Sequence, residues 1–124
     1  MKIVINQILN PKESLTIFTP GNVLTNNNIN WQVVTNNIVA VVNKKYAFNT
    51  STDSISVTLP ENPNINDRFL FSDLMKTFDL NSLIIKQASS GELIQYKSEN
   101  YEINEKGLSG EIVFLSHTTG WTIL

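Results

Sequence analysis

Apolar and polar side chains alternate along this chain in short runs. In residues 46–60, Tyr46 and Phe48 share one parity, a polar stretch over residues 49–54 follows, and Ile55, Val57 and Leu59 then alternate with Ser54, Ser56 and Thr58. A period of two is that of a half-buried strand. The segment therefore reads as a β-hairpin with Tyr46, Phe48, Ile55, Val57 and Leu59 inward and a Thr/Ser/Asp turn outside.

The pattern recurs on both sides. Ile3, Ile5 and Gln7 alternate with Val4 and Asn6 to give a first strand over residues 2–9, stopped by Pro11, and residues 15–19 form a second β run closed by Pro20-Gly21. After an Asn-rich connection over residues 22–30, residues 31–35 and 38–42 read as two strands joined by a tight turn at Asn36-Asn37. Pro60 and Pro63 make residues 61–67 a loop. Residues 68–72 are a strand with Phe69 and Phe71 on one side. Residues 72–80 hold the one helical candidate, a turn or two in which Ser72 or Asp73 caps Leu74, Met75 and Phe78. Strands are predicted at residues 82–87, 93–96, around Tyr101 and Ile103, and at 111–116 and 121–124, for about ten in all, with turn signals between them.

That spacing predicts an all-β fold: a compact antiparallel β-sandwich or barrel-like domain over residues 31–124, with at most one short helix. Residues 1–30 carry little apolar surface and read as an N-terminal arm or edge hairpin serving attachment or oligomerisation.

Composition narrows the function classes. With 124 residues the chain fits one ordinary domain. Nine basic and eleven acidic side chains give a net charge of −2, and Lys44-Lys45 is the one basic doublet, so nucleic-acid binding by counterion release is not expected. Cysteine is absent, which removes disulfides and thiolate sites. The longest apolar runs, such as residues 38–42, fall far short of the roughly 20 residues of a membrane helix, and no membrane insertion is expected. Met1 reads as a true start and the chain as made in the cytoplasm.

Candidate chemistry is sparse. His117, the one histidine, lies in a polar turn without a second metal ligand beside it. Asp67 and Asp73 flank an extended strand, about 17–20 Å apart and too far to share a proton. Glu99, Glu102 and Glu105 read as a solvated face without calcium-loop spacing. Trp31 and Trp121 are read as core aromatics or, alternatively, as sugar-stacking platforms. For stacking on a glycan, Tyr96 and Tyr101 beside Asn100 and Asn104 are the better candidates. No phosphate-cradling glycine loop or nucleophile elbow occurs. Neither a catalytic residue, a metal site nor a cofactor is expected.

One larger pattern stands out. Trp31 and its strand, Tyr46 leading through a Thr/Ser/Asp turn to Leu59-Pro60, a loop with Asp67 before a strand and Asp73 after it, and a terminal Gly120-Trp121 with a short apolar strand together resemble small β domains of bacteriophage virion proteins, of tail-fibre and appendage type. The resemblance covers residues 31–124. Asn66-Asp67 stands where Gly-Asp is usual, and residues 90–95 replace a glycine-richer turn. The resemblance implies a non-enzymatic structural component of a virion (tail fibre, baseplate or head appendage), made in the host cytoplasm. It would act as a homo-oligomer, a trimer for preference, docked to other virion proteins through residues 1–30. The alternatives are a host-receptor or carbohydrate-binding module at an appendage tip, and a capsid decoration (cement) protein.

Overall fold

Strands that follow one another in this chain do not lie side by side. The structure is a computed structural model and describes residues 30–124; the strands and arm expected within residues 1–29 lie outside the described residues. Nine strands are described: β1 (Trp31–Val34), β2 (Ile38–Val39), β3 (Lys45–Phe48), β4 (Ile55–Thr58), β5 (Arg68–Asp73), β6 (Leu83–Lys86), β7 (Tyr101–Ile103), β8 (Ser109–Ser116) and β9 (Gly120–Ile123). They form a five-stranded sheet in the order β9-β8-β5-β3-β1 and a four-stranded sheet in the order β2-β4-β6-β7.

From β1 to β6 the chain passes from one sheet to the other at every step, and each new strand lies parallel to the one laid down a circuit earlier. Trp31 pairs with Lys45 and Lys45 with Leu70 in the first sheet. Ile38 pairs with Val57 and Val57 with Ile85 in the second. This is a short solenoid winding. The winding ends in antiparallel strands, β7 on β6, β8 on β5 and β9 on β8.

The fold is all-β, with two mixed sheets in place of the antiparallel arrangement expected, and neither sheet closes into a barrel. Both hairpins expected ahead of β5 are corrected in the same way. Asn36-Asn37 carries the chain from β1 in one sheet to β2 in the other, and residues 49–54 do the same between β3 and β4. A polar turn between two alternating runs is equally suited to crossing between sheets, because alternation sets the buried face and not the neighbour. The run over residues 93–96 forms only isolated bridges at Ile94.

There is no helix among the described residues. Over residues 72–80, Lys76 has a left-handed backbone (φ 58°), which interrupts a helical run. The Asp73 carboxylate instead takes the N–H groups of Thr77 and Phe78, each at 3.0 Å.

The core is one cluster fed by both sheets. Tyr46, Phe48, Phe69, Phe71, Ile112, Phe114 and Trp121 come from the five-stranded sheet, and Ile55, Val57, Leu83, Ile85 and Ile103 from the other. A chain of ring contacts runs from Phe48 to Tyr46 (5.8 Å), Phe69 (5.9 Å), Trp121 (6.2 Å) and Phe114 (5.5 Å). Each such pair contributes about 0.5–1.5 kcal/mol beyond area burial.

Candidate functional site

The residues that carry the family resemblance are mostly structural fastenings. Asp73, at the end of β5, is fully buried, and besides Thr77 and Phe78 it accepts the N–H of Gly107 at 2.8 Å. One carboxylate thus holds the turn that follows β5 and the loop that precedes β8. Thr50, also fully buried, shares a 2.7 Å hydroxyl bond with Thr77. Asp67 accepts the N–H of Asn64 at 2.9 Å, and Asn66 takes a left-handed conformation (φ 78°), which asparagine adopts more readily than most residues. Tyr46 buries its ring and accepts the N–H of Val41 on its hydroxyl at 3.0 Å. Leu59 is buried and Pro60 half-buried at the exit of β4. Gly120 (φ 76°) lies so close to Leu93 that a Cβ there would overlap the Leu93 carbonyl.

The two tryptophans part company. Trp121 is fully buried, and its indole N–H has no hydrogen-bond partner among the described residues. Trp31, for which a core and a surface reading both stood, is 48% exposed, on the outer face of the five-stranded sheet. It heads a row across that face, Trp31, Lys45, Leu70, Glu111 and then Leu124, with the Lys45 ammonium 5.7 Å from the Trp31 ring centre. An open trough of about 430 Å³ follows this row, lined by Trp31, Leu70, Ser109, Gly110, Glu111 and Leu124 among others. Val33 and Leu115 are exposed on the same face, and Arg68 pairs with Glu111 at 3.0 Å.

The four residues proposed for ligand contact do not form a single cluster. Tyr101 opens β7 and lines a small cleft of about 80 Å³ with Asn104, Glu102 and Glu105. Asn100 is occupied, accepting the N–H of Gln87 at 3.2 Å. Tyr96 belongs to a different neighbourhood. It sits in a tight turn whose main chain is bonded to the β9 region, Gln95 N–H to Trp121 O at 2.8 Å and Tyr96 N–H to Thr119 O at 3.1 Å. Gln95 and Tyr96 are both left-handed (φ 52° and 69°), and Tyr96 is the most exposed aromatic residue described. The sequence carries no signal for that backbone, because two-residue left-handed turns ordinarily announce themselves by Asn-Gly.

The acidic residues and the histidine remain separate. Glu102 accepts the Ser82 hydroxyl at 2.6 Å on the outer face of the four-stranded sheet, and His117 packs its ring edgewise on Phe114 at 5.1 Å. Among the described residues no group of three or more His, Cys, Asp or Glu side chains is placed to hold a metal ion, and no helix is long and apolar enough to cross a membrane. No protein-family model matches the sequence, and neither does any curated protein.

Proposed function

We propose that the chain is a non-enzymatic structural component of a bacteriophage virion, acting by self-assembly and by docking to other virion proteins. The resemblance over residues 31–124 supports this reading, and so does the work its signature residues do, with Tyr46, Asp73, Gly120 and Trp121 serving core and turns. The observation that carries it is the outer face of the five-stranded sheet, where Trp31, Val33, Leu115 and Leu124 stand exposed. A sheet face with large apolar side chains exposed on it is suited to burial against another protein. The occupant proposed is a second copy, in a closed trimer, with residues 1–30 reserved for attachment to neighbouring virion proteins.

Light scattering across micromolar concentrations tests the assembly claim. The intact chain should run as a trimer, and Val33→Glu with Leu115→Glu should reduce it to a monomer with an unchanged circular dichroism spectrum. A monomeric wild type would refute self-assembly. Electron cryo-microscopy of the particle, with the protein labelled, tests the virion assignment and distinguishes appendage from capsid decoration by position and copy number.

A further inference from the structure

We propose that Tyr96 is a saccharide-binding contact, a ring held out on a rigid turn to stack on the apolar face of a neutral sugar. The first observation is conformational. Ile94 and Lys97 exchange N–H···O bonds of 2.9 and 3.0 Å around Gln95-Tyr96, a two-residue turn with both central residues left-handed. Such turns favour glycine or asparagine, and a bulky aromatic there is a true outlier. Strain of this kind persists where the surrounding structure enforces it, and it clusters at ligand clamps.

The second observation separates the two residues of the turn. Gln95 has a structural duty, since its Oε1 accepts the N–H of Ile123 at 3.0 Å. Tyr96 shows no such side-chain bond among the described residues, and the residue as a whole is 67% exposed. The base beneath it is fixed. Ile94 is buried and bridges to Trp121, and the turn is bonded to Thr119 and Trp121 through the main chain. The main chain that carries the ring is thus already ordered before binding, which lowers the cost of a small contact.

The surroundings decide the chemistry. The exposed neighbours are Lys97, Ser98 and Glu99 along the chain, and His117 and Thr118 beside the Thr119 carbonyl that holds the turn. A protein partner is ordinarily met by an aromatic anchor within a wider desolvated patch. A lone ring with a polar rim instead suits a ligand with an apolar C–H face and hydroxyl edges. The inference does not depend on the assembly reading, because Tyr96 is not on the outer face that carries Trp31 and Val33.

The test uses the full chain, saturation-transfer NMR against the methyl glycosides of glucose, galactose and N-acetylglucosamine, and a neutral-glycan array. Binding by the wild type is expected. Tyr96→Phe should retain it, and Tyr96→Gly should weaken it by about tenfold or more, equivalent to about 1.4 kcal/mol, while the unfolding midpoint stays level or rises. No binding by the wild type, or unchanged binding in Tyr96→Gly, overturns the proposal. A fall in the Tyr96→Gly unfolding midpoint would make the ring a structural element and overturn it too. So would a change in oligomeric state in Tyr96→Gly without saccharide binding, which would make the ring a contact between protein chains.

Discussion

The carboxylate of the buried Asp73 and the backbone N–H of Gly107 meet at 2.8 Å, joining segments far apart in the chain. With the Thr77 and Phe78 N–H groups on the same side chain, Asp73 satisfies three main-chain donors that would otherwise lack partners there. Asp73→Asn keeps the shape but turns an NH₂ group towards backbone donors. Hydrogen bonds to a charged group contribute about 1.5–3 kcal/mol each, so the variant should lose roughly 2–4 kcal/mol in urea unfolding. A loss below about 1 kcal/mol would show that the loops are held by other means.

Gly120 and Gly91 are both left-handed, yet they should answer differently to alanine. A Cβ at Gly91 meets nothing within 4 Å, whereas at Gly120 it runs into the Leu93 main chain. Gly91→Ala should cost about 1–2 kcal/mol, the penalty of the conformation alone. Gly120→Ala should cost clearly more, because the bridge between Ile94 and Trp121 must shift as well. Equal melting temperatures for the two variants would contradict this.

Tyr96 should be a site where a smaller residue helps. Replacing it with glycine removes a left-handed bulky side chain at some cost in unfolded-state entropy, for a net gain of about 0.5–1 kcal/mol. Chemical denaturation measures this directly.

The two tryptophans should report separate environments. Trp121→Ala empties a fully buried site and should cost about 3–5 kcal/mol, while Trp31→Ala should cost no more than about 1 kcal/mol in the isolated chain. Acrylamide quenching in Trp121→Phe, which leaves Trp31 as the one indole, should be strong if that ring is half exposed.

Arg68 and Glu111 form a well-placed ion pair, but both side chains are substantially open to solvent (43% and 29%). Exposed pairs of this kind contribute about 0–1 kcal/mol. Arg68→Ala should therefore change stability by no more than about 0.5 kcal/mol, with a small response to salt.

Much of the core could be read from alternation alone. Phe69 and Phe71, and Ile55, Val57 and Leu59, are buried as their parity predicts, whereas Ile112, Val113 and Phe114 are buried in succession. What alternation cannot carry is the identity of the neighbouring strand. Val57 lies between Ile38 and Ile85, partners far from it in sequence, and nothing local distinguishes that from a hairpin with β3. Trp31 was ambiguous for a related reason, since its exposure follows from lying on the outer face of its sheet rather than from its own strand pattern. Tyr96 was legible as a surface aromatic, but the strain beneath it depends on main-chain bonds to Thr119 and Trp121 that only the tertiary structure supplies.

The antiparallel close of the winding has a consequence for synthesis. β5, the central strand of its sheet, has β3 on one side and β8 on the other. A chain emerging from the ribosome therefore presents Phe69 and Phe71 with one edge of their strand unsatisfied until β8 has been made. This sheet cannot be completed coil by coil during synthesis, and the edge of β5 stays open to association until β8 has emerged.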